Sequence, residues 1–199
     1  MILLLVLTLL AQDPLRVAPR NYKLEFENQW VRVVRVRYGT HDKTAVHDHP
    51  ATPAVYVYVT EGGRLKISHD GEPVIRAAVQ AGAIRYSRGM AEHHSVEELD
   101  GVSSEFLRVE LLTKPVDLPE RDVRRAPGDR TPYESKMIRI LRVTCAPRTS
   151  CPQSDHPENP AVVIMGRDFQ WQDPGLQLSI NGATMPLEQV RIELVSKPE

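Results

Sequence analysis

His47 and His49 stand two residues apart in the string VHDHPATPAVYVYVTEGG, immediately before a strongly apolar run. In an extended chain such residues project from the same face, so the pair presents two imidazoles side by side. Two nitrogen donors on one rigid element begin a metal site, and a third has to come from elsewhere. His94, in GMAEHHSVEEL, follows another strand-like run and precedes a turn at Asp100-Gly101, where a neighbouring strand can bring it alongside the pair. Glu92 shares the face of His94 if that segment is extended, and offers a carboxylate to the metal or a general base beside it. His93 then points the opposite way, and His41 lies in the loop before the pair; both are alternatives for a missing ligand. The trio can equally line an empty barrel, its rings hydrogen-bonded to one another or to water.

These side chains need strands to hold them. Residues 31–37, 54–59, 64–68, 74–79, 83–87 and 105–112 are short runs rich in Val, Ile, Leu and Tyr, separated by turn signals such as Glu61-Gly62-Gly63 and His69-Asp70-Gly71. Strands at that spacing predict a sandwich or barrel. No segment sustains a helical period, and Gly89 to Val96 is the one place where a short helical turn is considered. Part of the pattern occurs twice. Phe26 to Val57 aligns without a gap on Tyr133 to Ile164, at an offset of 107, with ten of 32 pairs identical. Phe106 to Pro115 aligns on Gln189 to Pro198 at an offset of 83, so the second copy is shorter by 24 residues, lost between Val57 and Phe106. An internal repeat of a structural unit is the reading. His47 becomes Ser154, His49 is matched by His156, and His94 has no evident counterpart near Asn181-Gly182-Ala183, so a second metal site is not expected. The second unit is expected to be structural, packing a sheet against the first or extending it, with Phe169, Trp171 and Leu176 as candidate contacts.

The string from Gly39 through His47, His49 and Gly62 resembles the first motif of the cupin superfamily, and Gly82 through His94 resembles a degenerate second one. The resemblance implies an all-β chain: a double-stranded β-helix (cupin barrel) followed by a shortened second cupin-like unit. It also implies His47, His49 and His94 as ligands for a divalent metal ion. Two departures stand out. Counting back seven from Gly62 places the family's glutamate ligand at Val55, which cannot bind a metal, and the second motif's proline and glycine correspond roughly to Gly89 and Ala91. Imidazoles without that carboxylate suit Fe, Zn, Cu or Ni better than Mn or Mg. If Val55, Val57 and Val59 face inward with the ligand slot, they favour a partly apolar ligand, and Tyr56 and Tyr58 face the other way.

The boundaries follow: a signal peptide at 1–11, a cupin-like domain at 12–118, a linker at 119–132 and a second unit at 133–199. Met1 to Ala11 is an apolar run too short to cross a bilayer but matching the hydrophobic part of a secretory signal, with cleavage after Ala11; export to the periplasm or the cell exterior is expected. Cys145 and Cys151 are the only cysteines, and in an exported chain an even count favours a disulfide. Twenty-five basic and 26 acidic side chains give a net charge of −1 and no electrostatic reason to expect nucleic acid, or a membrane once the signal is removed. A small-molecule ligand or substrate is the expected partner, with a homodimer possible. Three functions stay open: a metal-dependent enzyme such as an oxygenase, isomerase or hydrolase; a non-catalytic binder of a small molecule or metal; or a structural role.

Overall fold

A computed structural model describes residues 12–69, 71–113, 133–134, 137–175 and 179–196. Residues 1–11, expected to be a signal segment, residues 119–132, expected to be a linker, and Leu176 lie outside the described residues. One short helix, α1 (Pro14–Val17), is followed by β1 (Tyr22–Glu27), β2 (Val31–Tyr38), β3 (His47–His49), β4 (Ala54–Tyr58), β5 (Leu65–Ser68), β6 (Val74–Arg76), β7 (Ile84–Ser87), β8 (Glu92–Glu98) and β9 (Ser104–Leu111). Then come β10 (Tyr133–Glu134), β11 (Ile138–Cys145), β12 (Ala161–Met165), β13 (Asp168–Gln172) and β14 (Leu187–Leu194). The six sequence-assigned strands fall on β2, β4, β5, β6, β7 and β9. The helical turn considered at Gly89 to Val96 is instead the approach to β8 and its first half, because antiparallel pairing with β3 and β5 satisfies its backbone.

Three antiparallel sheets result, in the orders β1-β2-β9-β4-β7, β3-β8-β5-β6 and β10-β11-β14-β12-β13. The first two close on one another as a barrel, around Val34, Val36, Tyr38, Tyr56, Tyr58, Leu65, Ile67, Val96 and Phe106. The third lies against the outside of the first and shares a second core with it. Val31, Val33, Val55, Val57, Leu107, Val109 and Leu111 there meet Ile138, Ile140, Val162, Ile164, Val190, Ile192 and Leu194. The first sheet is thus buried on both faces, which is why every residue of β4 and β9 is buried.

The third sheet repeats the pairing of the first. Val31 lies opposite Leu111 and Ile138 opposite Leu194, while Ala54 lies opposite Glu110 and Ala161 opposite Glu193. Where β4 and β7 are separated by residues 59–83, carrying β5 and β6, β12 and β13 are joined by Gly166-Arg167 alone. The third sheet therefore has no four-stranded sheet facing it among the described residues. Phe26 stacks on Trp171 with ring centroids 5.7 Å apart and meets Phe169 edge-on at 6.4 Å, as expected of both second-unit aromatics. Charged groups add to this seam: Arg35 on β2 pairs with Glu105 on β9 and donates to the backbone carbonyl of Arg167 at 2.9 Å. Cys145 and Cys151 form a disulfide that closes the loop after β11.

The structure reverses the expected facing of β4. Val55 and Val57 belong to the core shared with the third sheet, with Val59 packed against it, and Tyr56 and Tyr58 point into the barrel. The cause is the stretch between β3 and β4: Pro50 and Pro53 interrupt the extended chain, and the amide of Thr52 turns back to the carbonyl of Pro50 at 2.7 Å. Alternation does not carry across that bend. The inward residue beside the expected ligand slot is Ala54, which has no more capacity to bind a metal than Val55.

Candidate metal centre

Strands β3 and β8 pair so that His47 lies opposite His94, Asp48 opposite His93 and His49 opposite Glu92. Because faces alternate, this register sends His47, His49, His94 and Glu92 to one side and Asp48 with His93 to the other. Ring centroids of the three histidines are 4.8 to 5.1 Å apart, and each offers a nitrogen within 4.8 Å of the others. The residues are 0, 5 and 5% exposed, in chain order. His93 instead bonds Asp48 at 2.5 Å on the outer side. His41 lies away from the trio, its amide donating to Glu98 at 2.9 Å and its ring beside Gly101. His156 in the second unit is half-exposed and pairs with Glu158 at 3.0 Å.

Burial makes these rings neutral. All three have their pKa lowered, chiefly by loss of solvent, with the Arg108 charge acting in the same direction; His94 falls to about 3. Neutral imidazoles are the form that donates a lone pair to a metal. Their hydrogen bonds assign the lone pairs. Nδ1 of His47 lies 2.8 Å from the carbonyl of Ala45, which can only accept, so Nδ1 carries the proton and Nε2 the lone pair. That lone pair accepts from the Tyr22 hydroxyl at 3.0 Å, and Tyr22 in turn accepts from Tyr38 at 2.8 Å. Burial raises the pKa of both tyrosines, keeping them protonated donors.

His94 Nδ1 is buried with no hydrogen-bond partner, the nearest carboxylate oxygen being that of Glu92 at 3.5 Å. His49 is held differently. Nη1 of Arg108, on β9, lies 2.8 Å from its Nδ1. Arg108 is itself fixed by Glu110, 3.0 Å from its Nε, and by the Tyr56 ring, 5.6 Å from its carbon. The donor set fits a divalent ion: three neutral imidazoles converge, and one buried nitrogen has no partner. An ion would take the place of Tyr22 at His47 and would have to deal with Arg108 at His49.

A cavity of about 490 Å³ opens beside His49, and Tyr22, Val34, Glu92, Arg108, Glu110 and the α1 residues Pro14 and Leu15 are among its walls. Asp48 also lines it and exchanges bonds with the backbone of Gln12 at 2.7 and 2.9 Å. Sequence reasoning missed Tyr22, His69 and Arg108. His69, whose ring lies 5.3 Å from that of His94, falls within the turn signal His69-Asp70-Gly71. Tyr22 and Arg108 lie on β1 and β9, and no local signal joins them to the histidines.

No protein-family model matches the chain, and no curated protein resembles it closely enough to count as a match. Solved structures do resemble it. AerE from Microcystis aeruginosa superposes with a TM-score of 0.51 at 13% identity, over 87% of this chain and 97% of that one. A cupin domain from Bordetella pertussis shares 20% identity over 45% of this chain and 90% of its own, with a TM-score of 0.40. A deletion mutant of the oxalate decarboxylase OxdC from Bacillus subtilis shares 15% over 82% and 68%, with a TM-score of 0.48. At these identities the likeness is one of fold.

Proposed function

We infer that this chain, cupin-like in fold, binds a divalent metal through His47, His49 and His94 and presents it to a small molecule entering the adjoining cavity. The observation that carries the reading is the convergence of three buried, neutral imidazoles, one with an orphaned nitrogen, next to an open cavity. A bound ion would supply Lewis-acid or redox chemistry at its open positions. The chain supplies the rest. Glu92, partly exposed at the cavity wall, is placed to take a proton from a ligand or return one to it. Tyr56, Tyr58 and Phe106 keep the interior beyond the histidines aromatic and small, so the ligand is received on the Val34 and Pro14 side.

The second reading is a binder without turnover. It is favoured by the absence of a carboxylate at Ala54 and Val55 and by the cation already in contact with His49. Oxygen uptake by metal-loaded protein, screened against catechol-like and flavonol-like compounds, separates the two. Turnover that disappears in Glu92→Gln supports an enzyme, whereas ligand-induced shifts in the metal's spectrum without turnover support a binder.

Export belongs to the same proposal. The apolar run before Gln12 and a disulfide suited to an oxidising compartment support it. The matched registers of the first and third sheets likewise support descent of both from one duplicated unit, the second lacking, among the described residues, counterparts of the β5–β6 segment and of His47 and His94.

A further inference from the structure

We propose that Arg108 is a resident cation that competes with the metal for His49, so that metal and a small carboxylate ligand bind this site cooperatively. The inference rests on the reading that the three histidines hold a metal.

A guanidinium has donors and no lone pair, so Nδ1 of His49, 2.8 Å from Nη1 of Arg108, is the acceptor in that bond. The proton of the neutral ring is then on Nε2. In this arrangement His49 has no free lone pair on either nitrogen, whereas a turn of the Tyr22 hydroxyl is enough to free Nε2 of His47. Metal loading therefore requires Arg108 to release His49.

Arg108 can release it without losing its own anchor. Its Nε forms an ion pair with Oε1 of Glu110 at 3.0 Å, short of hydrogen-bond geometry, and the third sheet carries the same pair at the corresponding positions, where Nε of Arg191 donates to Oε1 of Glu193 at 2.8 Å. There the arginine has no imidazole to meet, and it donates to Oε1 of Gln172. The Arg–Glu unit thus stands independently of histidine, but in both sheets the guanidinium finds a further acceptor. Once a metal takes His49, that acceptor is gone.

What remains is a divalent cation and a guanidinium beside one buried ring, two like charges whose repulsion is strong away from water. A carboxylate in the cavity answers both needs. Arg108 and His49 both line the cavity, and a carboxylate matches the fork of a guanidinium while neutralising one charge. By linkage, an anion that favours the released arginine favours the metal to the same degree, and the reverse.

Zinc titration calorimetry on untagged protein in a non-coordinating buffer, at increasing acetate and with free zinc corrected for acetate binding, tests this. For the wild type, acetate is expected to tighten zinc binding by about tenfold. For Arg108→Met, checked for folding by circular dichroism, zinc is expected to bind about tenfold or more tightly than to wild type without acetate, with the acetate effect lost. Weaker binding by Arg108→Met would mean that Arg108 supports an imidazolate ligand, and would overturn the proposal. Wild-type binding indifferent to acetate would also overturn it, and needs no variant. Zinc binding by neither protein would sink the metal reading and this inference together; binding indifferent to both changes would sink the inference alone.

Discussion

At the scale of single residues, the site is defined by which proton sits on which nitrogen. The Ala45 carbonyl fixes His47, Arg108 fixes His49, and His94 keeps a buried nitrogen that nothing satisfies. Holding such rings neutral has a consequence for stability. An unfolded imidazole titrates near 6.5, whereas His94 in the fold takes a proton only at about 3. Between those values the unfolded chain binds more protons, so stability rises with pH there. In metal-free protein the contribution of His94 is intact above about pH 6.5 and is lost as the pH falls toward 3. Urea midpoints should therefore drop between pH 7 and pH 5, and His94→Gln should show a shallower drop; an equal drop would contradict the assignment. The His-x-His spacing and the place of His94 were legible in the sequence because alternation along a strand is a local rule. Arg108 was not, since its partner lies 59 residues away and its own segment, RVEL, reads as ordinary strand alternation.

At the scale of elements, β4 shows where local rules stop. Its alternating Val and Tyr announced two distinct faces, but which face met the histidines depended on the bend through Pro50 and Pro53, and a one-residue shift in parity exchanges the faces. The same bend packs against the connection between β7 and β8. Gly89 has φ of +80°, and a Cβ there would strike the backbone of Thr52 and Pro53. Gly89→Ala should cost about 1–3 kcal/mol, read as a lowered urea midpoint, because both the conformation and the contact oppose it. As that backbone connects β3 to β4, the variant should also weaken metal binding. A variant of wild-type stability and affinity would show that the crossing does not hold β3 in place.

At the scale of the whole molecule, the stretches that align in sequence fall on strands with matching registers in the first and third sheets, and Phe169 and Trp171, expected as contacts, lie at the seam between those sheets. What sequence could not give was that the two five-stranded sheets share one core, because contacts between layers depend on the facing of β4, β9, β11 and β14 together. With that core continuous, barrel and third sheet should unfold as one unit. Ile192, fully buried at the seam, should cost about 2–5 kcal/mol on truncation to alanine. Metal release and loss of tryptophan fluorescence should then shift together to lower urea. Separate transitions would mean that the sheets fold independently. All of this serves a barrel wall on which three imidazoles meet, and the most direct test is the metal content of untagged protein by mass spectrometry. Wild type should carry a divalent ion, and His47→Ala and His94→Ala, still folded, should lose it. Equal metal in all three proteins, or none in the wild type after incubation with Fe, Zn, Cu and Ni salts, would contradict the account.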